Sequence, residues 1–271
     1  MEKKELIFKI IIESIKDPKT LKNIIQEMKQ SRDDKKHSSH KYNYNYFSIE
    51  EFFENVYPDI NIKQYEKELN EIENIVKEFF KKMECKEYPS YEKPYPLDYS
   101  INSDSRKFLY ILCRTLQPET IVETGIAYGI SSLYILKALE KNSFGRLYSI
   151  DSVFRPWQSE KMIGAILPIN LRGRWNLVLG KSSEKLKDIV LQLGVIDIFI
   201  HDSLHTYKNM LYEFDTVIGN IKNQGIIVSD DVLGNDAFFE FTKKSGLKNY
   251  LIKVEEGVGL GIIENKKTTP K

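Results

Sequence analysis

The chain has 271 residues, 41% hydrophobic and 29% charged, the balance of a soluble globular protein with room for one large core. Lys+Arg 40 against Asp+Glu 39 leaves a formal net charge of +1, so no global field draws nucleic acid or an anionic membrane. Its 2 cysteines, Cys85 and Cys113, show neither metal-ligand spacing nor a disulfide framework and read as free thiols.

The N-terminal run Met1–Lys9 breaks its apolar residues with charges, a poor signal peptide. No apolar stretch approaches the length of a membrane span, so a cytoplasmic protein is expected. Residues 1–99 contain no glycine and read as a helical N-terminal extension, a lid or an oligomerisation element. Leu6, Ile7, Ile10, Ile11 and Ile15 recur at helical spacing, and Asp17-Pro18 marks an N-cap and first helical residue. A polar, aromatic loop follows from Ser31 to Phe47, with His37, His40, Tyr42, Tyr44 and Tyr46. Ser48-Ile49-Glu50-Glu51 is a capping box. Ile62, Tyr65, Leu69, Ile72, Val76, Phe79 and Met83 then mark one face of a longer helix. Pro89, Pro94 and Pro96 form a linker.

From about residue 100 to 265 helices and strands alternate. The pattern predicts helix 105–116, strand 120–123, helix 131–140 and strand 146–151. Strands 175–179 and 196–201 follow, then helix 207–221, strand 226–229 and a hairpin of 250–254 with 259–263 turned by Glu255-Glu256-Gly257. Such alternation means a parallel sheet wrapped by helices, with ligands at the carboxyl ends of the strands. The tail 266–271 is expected to be disordered.

Each chemically suggestive residue falls at such a strand end. Glu123-Thr124-Gly125-Ile126-Ala127-Tyr128-Gly129 closes the first strand and opens a helix. Glycines there let the backbone approach a ligand, and the helix end offers free N–H groups. The spacing is Gly-x-x-x-Gly, not the Gly-x-Gly-x-x-Gly of dinucleotide folds. A carboxylate before the first glycine suits a cationic amino-acid moiety. Asp151 ends the second strand, where a carboxylate can accept both hydroxyls of a ribose. Gly180-Lys181-Ser182-Ser183 follows the third. Each of these alone can be a packing turn or a solvated carboxylate; three at successive strand ends argue for a nucleoside cofactor.

A second constellation is His201-Asp202-Ser203-Leu204-His205 after the fourth strand and Ser229-Asp230-Asp231-Val232 after the fifth. Adjacent strands bring Asp202 near the Asp230-Asp231 pair, and three converging carboxylates repel unless a cation neutralises them. Oxygen ligands without cysteine suggest Mg²⁺. His205, three residues past Asp202, is placed to act as a general base. The bland reading makes Asp230 a helix cap and His201 a strand-end filler.

Residues 106–240 resemble class I S-adenosylmethionine (SAM) methyltransferases of the group that holds macrolide-sugar O-methyltransferases and cephalosporin-hydroxylase-like proteins. Glu123-Thr124-Gly125, Tyr148-Ser149-Ile150-Asp151, His201–Tyr207, Ser229–Val232 and Asn235–Phe238 carry the resemblance. It implies a seven-stranded, Rossmann-like α/β sheet with the helical extension in front. It further implies SAM held by Glu123, Gly125, Gly129, Asp151, Lys181, Ser182, Ser183 and Asp202. Mg²⁺ would sit on Asp202, Asp230 and Asp231, with His205 as the catalytic base for a hydroxyl of a small molecule or sugar. The later acidic pair is often Glu-Asp in the macrolide branch and is Asp-Asp here. Residues 1–99 match no pattern and are the place to expect a homo-oligomer contact. The rivals are a SAM-fold scaffold without catalysis and a Rossmann oxidoreductase, which the glycine spacing disfavours. A nucleic-acid methyltransferase lacks its basic stripe. Phe154-Arg155-Pro156-Trp157 and Tyr42–Phe47 could stack on the acceptor, though such rings more often pack.

Overall fold

Strands whose residues alternate between two cores build one sheet at the centre of the molecule. The computed structural model describes residues 18–38, 46–155, 157–255 and 258–266. In chain order the strands are β1 (Tyr46–Phe47), β2 (Thr120–Thr124), β3 (Arg146–Asp151), β4 (Trp175–Leu179), β5 (Ile196–His201), β6 (Ile221–Ser229), β7 (Lys248–Glu255) and β8 (Val258–Glu264). Their order across the sheet is β1-β7-β8-β6-β5-β2-β3-β4. β8 runs antiparallel to β6 and β7; the other pairings are parallel.

Successive side chains point to opposite faces. Ile121, Ile198, Ile226 and Ile262 enter one core; Val122, Phe199, Ile227 and Ile263 enter the other. Burial on both faces accounts for the near-continuous apolar runs of these strands. On the first face lie α2 (Ile49–Val56), α3 (Glu66–Glu84), α4 (Ser103–Leu116) and α5 (Ile130–Asn142). On the second lie α6 (Ser182–Leu193), α7 (Tyr207–Val217) and α8 (Ala237–Ser245). A further helix, α1 (Pro18–Asp34), crosses the carboxyl end of the sheet, as its contacts below establish.

The extension from Ser48 onward shares the first core. Ser48 closes the expected capping box with Glu51. Phe52 and Phe53, both fully buried on α2, pack edge-on or tilted against Phe108 of α4. Burying each such ring stabilises the fold by roughly 1.5–3 kcal/mol. Ion pairs continue the attachment: Arg106 binds Glu73 of α3 at 3.0 Å, and Tyr134 of α5 donates to the same carboxylate at 2.7 Å.

Several elements differ from expectation. The sheet has eight strands, not seven, because Tyr46–Phe47 adds a two-residue edge parallel to β7. Two residues are too few to show alternation. α1 runs on to Asp34, four residues into the stretch expected to be loop, because its last turn is polar on every side. The helix expected to reach Ile221 stops at Val217, and Ile221 instead opens β6, whose pairing with β5 shifts register between Ile196 and Ile198. α6 and α8 were not foreseen. The apolar face of residues 1–15, the cap at Asp17, His40, Tyr42, Tyr44, Pro156, the hairpin turn at 256–257 and the tail 267–271 lie outside the described residues. Among the described residues no helix is long and apolar enough to cross a membrane, and Cys85 and Cys113 are free.

β2 is flanked by β3 on one side and β5 on the other, so chain order reverses there. Connections leave to opposite sides of the sheet at such a point, which opens a crevice beyond the strand ends.

Candidate active site

A cavity of about 640 Å³ fills this crevice, within the range of small-molecule sites. Its floor is the turn after β2 (Gly125 to Tyr128), the end of β3 at Asp151, and Gly180 to Ser183 after β4. Asp202 to His205 after β5 and Asp230-Asp231 after β6 complete it. Tyr95, Pro96 and Tyr99 of the linker form one wall, with Phe154, Arg155 and Trp157 beyond β3. Asn23, Gln26, Glu27 and Gln30 of α1 face it from above.

The two glycines do different work. Gly125 has φ +82°, and a Cβ there would lie 1.9 Å from the carbonyl oxygen of Asp202. It lets the β2 and β5 loops touch while lining the cavity. Gly129, φ +88°, does not line it; a Cβ would sit 2.9 Å from Cα of Gly164, so its bareness serves packing at the start of α5.

Glu123 is likewise beneath the cavity and not in its wall. It is fully buried, and its carboxylate accepts hydrogen bonds from Ser131 (2.5 Å), Ser132 (2.6 Å) and Ser149 (3.0 Å). Burial pushes its pKa up, against those hydroxyls. A carboxylate enclosed in this way fixes the first turn of α5, and the structure leaves it outside the cavity lining, where contact with a cofactor ammonium was expected.

Asp151 does face the cavity. Its Oδ2 accepts from the backbone N–H groups of Ile126 (2.9 Å) and Ala127 (2.8 Å), and Oδ1 from that of Ser152 (2.6 Å). The side chain therefore ties the β3 end to the glycine turn. Burial raises its pKa and the three N–H groups oppose that. Lys181 donates to Asn23 of α1 at 2.6 Å, Ser182 meets Asn209 at 3.3 Å, and Ser183 completes this side.

On the other side, β5 and β6 pair with His201 opposite Ser229, which carries Asp202 beside Asp230. Ligand atoms of Asp202, His205 and Asp230 lie within 4.8 Å of one another, the sole such group among the described residues. Asp231 lines the same cavity at a strained φ of +47°, but stands outside that group. The structure thus substitutes His205 for Asp231 in the expected trio. Nε2 of His205 is buried without a hydrogen-bond partner, 3.8 Å from Oδ1 of Asp202. Burial, reinforced by His201, pushes the His205 imidazole down to about 3. Burial, then the charges of Asp230, Glu123, Asp151 and Asp231, holds the Asp202 carboxyl well above the usual range. A neutral imidazole with an orphaned nitrogen beside crowded carboxylates fits a hard divalent cation.

The sequence reading missed the cover. α1 turns its polar face inward: Glu27 pairs with Arg155 at 2.8 Å, Gln30 accepts from Thr206 at 3.1 Å, and Asp34 accepts from the Tyr207 N–H at 2.8 Å. His37, at the start of the polar, aromatic stretch, stacks on Tyr207 with ring centroids 3.8 Å apart. The proline linker does more than connect, since Tyr95 and Tyr99 form a wall of the cavity. An inverted helix with Leu21, Ile25 and Met28 facing solvent gives no amphipathic signal toward a core.

This fold, with strand order reversing at a glycine turn and a carboxylate ending the next strand, is the fold of class I methyltransferases. Residues 122–232 match the model of a methyltransferase domain, which spans the glycine turn, Asp151, the Asp202–His205 loop and the Asp230-Asp231 pair. Solved structures sharing the fold include a Podospora anserina methyltransferase bound to S-adenosylhomocysteine (SAH), at 16% identity over 75% of this chain and 96% of that one (TM-score 0.52). A Bacillus cereus O-methyltransferase with SAH matches at 16% over 80% and 96% (TM-score 0.52). An O-methyltransferase of tomaymycin synthesis from Streptomyces achromogenes, with SAM, matches at 17% over 79% and 94% (TM-score 0.51). No curated protein matches the chain.

Proposed function

We propose that this protein is a SAM-dependent methyltransferase that transfers the methyl group to a hydroxyl oxygen of a small molecule or sugar, assisted by a divalent cation. The observation that carries the reading is the Asp202–His205–Asp230 group opening into the same cavity as the glycine turn. SAM, when bound, supplies a sulfonium-activated methyl, so catalysis needs in-line positioning and removal of the hydroxyl proton. Mg²⁺, when bound, lowers the pKa of an oxygen it touches.

The chain's own groups divide these tasks. Gly125 and the backbone beside it admit the cofactor. Asp151 keeps a lone pair on Oδ1 for a ribose hydroxyl, and Lys181, Ser182 and Ser183 offer polar partners to the adenine. Asp202 stands where both cofactor and cation can reach it. Asp202 and Asp230 would hold the cation, and Asp231 lines the same cavity. His205, whose Nε2 faces the group without a hydrogen-bond partner, is placed to take the hydroxyl proton there. α1 closes the cavity over these groups and keeps water from the methyl. Tyr95, Tyr99 and Phe154 offer ring faces to the acceptor. The near-neutral chain has no basic stripe for nucleic acid. The outward face of α1, with Leu21, Ile25 and Met28 at 41%, 44% and 56% exposure, is where a homo-oligomer would form.

A second reading is that His205 is a cation ligand, since its Nε2 belongs to the same 4.8 Å group. The test is transfer to catechol- and sugar-type acceptors before and after chelation. Loss with the chelator and return with Mg²⁺, with SAH still bound, supports the proposal; full activity after exhaustive chelation rejects metal assistance.

A further inference from the structure

α7 carries a carboxylate that belongs to neither ligand set. Glu213 is fully buried beneath the cavity floor. Burial alone would raise its pKa, but His201 and its hydrogen-bond donors bring it down to about 2. Oε2 accepts from Thr124 Oγ1 at 2.6 Å and meets His201 Nδ1 at 2.7 Å. Oε1 accepts from Ser203 Oγ at 2.8 Å and Asn209 Nδ2 at 3.1 Å. Facing a carboxylate, Nδ1 is the protonated nitrogen of His201.

The positions of those donors matter more than their number. Thr124 is the last residue before Gly125. His201 and Ser203 bracket Asp202. One side chain thus grips the cofactor turn and both flanks of the carboxylate that serves the cation. The backbone completes the joint: the Asp202 N–H donates to the Thr124 carbonyl at 2.9 Å, and the Asp202 carbonyl occupies the space a Cβ on Gly125 would need. Neither loop can shift without the other.

We propose that Glu213 is a positioning residue that locks the Gly125 turn and the Asp202–His205 loop into one unit, so that cofactor and cation sites form together. This rests on the reading of the cavity as the SAM and cation site, and the experiment separates the two. The full chain and its Glu213→Gln variant, isosteric but without the charge, are compared without ligands by hydrogen exchange. Both are also titrated with SAH by calorimetry and with Mn²⁺ by water-proton relaxation. The variant's amides at 124–127 and 202–206 should exchange at least ~10-fold faster while β7 and β8 keep their protection. Its dissociation constants for SAH and Mn²⁺ should both rise by about 10-fold or more. A merely structural role would speed exchange throughout the chain, and that result overturns the proposal. So does unchanged exchange, or loosening confined to 202–206 with SAH affinity intact. A parent chain that binds SAH but not Mn²⁺ removes the cation from the proposed function and leaves the exchange and SAH arms deciding. Should Glu213→Gln fail to fold, Ser203→Ala, which removes one of the four donors, must loosen both loops in the same direction to a smaller degree.

Discussion

Carboxylates stand at both ends of β5, and the protein treats them in opposite ways. At the amino end Asp197, 7% exposed, is fully provided for. Its Oδ2 accepts from the backbone N–H groups of Glu119 (3.0 Å) and Thr120 (2.7 Å), and Lys222 pairs with Oδ1. At the carboxyl end Asp202 is held against Asp230, with Glu123, Asp151 and Asp231 close enough to raise its pKa further and no lysine or arginine among the causes. One carboxylate stitches strands together; the other is kept at electrostatic cost, which is how binding sites differ from scaffolds.

The largest effect expected from this contrast is at Asp202. Asp202→Asn should reduce methyl transfer on the order of 10⁴-fold, the several kcal/mol that a held cation contributes. It should leave thermal stability equal or higher, because it removes a charge that its neighbours repel. Activity within tenfold of the parent, measured at saturating SAM, would sink the functional assignment of that end.

Next is His205. His205→Ala should slow turnover by about 10²–10⁴-fold, the contribution of a positioned base, with SAH affinity retained. Mn²⁺ affinity then separates the two roles: a base leaves it nearly unchanged, whereas a ligand takes it away. Turnover within a few-fold of the parent would hand the proton to solvent.

The structural end gives the converse. Asp197→Asn should lower stability by ~1–3 kcal/mol, since it weakens charge-assisted bonds to buried N–H groups, and leave turnover within about threefold at temperatures well below unfolding. A large loss of activity with stability intact would dissolve the distinction between the two ends. Asp151 stands between them, being tied to three backbone N–H groups yet facing the cavity. Asp151→Ala should weaken SAM binding by ~1–3 kcal/mol in calorimetry.

What was legible in the sequence follows the same divide. Strand ends could be read because apolar runs stop at them: β3, β4 and β5 have the expected bounds, and Asp202 falls beside Asp230 as the parallel register requires. Residues whose work depends on contacts far along the chain could not be read. Glu213 sits in Tyr207–Val217 like any charge on an amphipathic helix, and its partner Thr124 is 89 positions away. Glu123 was legible as a strand-end carboxylate, but the serines that enclose it are ordinary helix-start and strand residues until folded. α1 was legible as a helix; its polar face meets the cavity, a placement periodicity does not encode.

The smallest prediction concerns acid stability and isolates Glu213 from the groups that behave oppositely. Its folded pKa, about 2, lies below the ordinary 4.5, so its contribution is fully present above pH 4.5 and is lost as pH falls toward 2. Asp202, Asp151 and Glu123, with raised values, change sign: protonation favours the fold, so their contribution grows as pH falls. A melt of the parent alone would mix the two. The difference in stability between the parent and Glu213→Gln cancels the shared carboxylates to first order. That difference should be constant near neutrality and shrink by about 1.4 kcal/mol by roughly pH 3.5, where the unfolded glutamate is about nine-tenths protonated. A gap that stays constant from pH 7 to 3.5 would mean that Glu213 titrates alike in the folded and unfolded chain. The four hydrogen bonds at its oxygens would then not be holding an anion, and the joint between the cofactor turn and the Asp202 loop would lose its electrostatic basis.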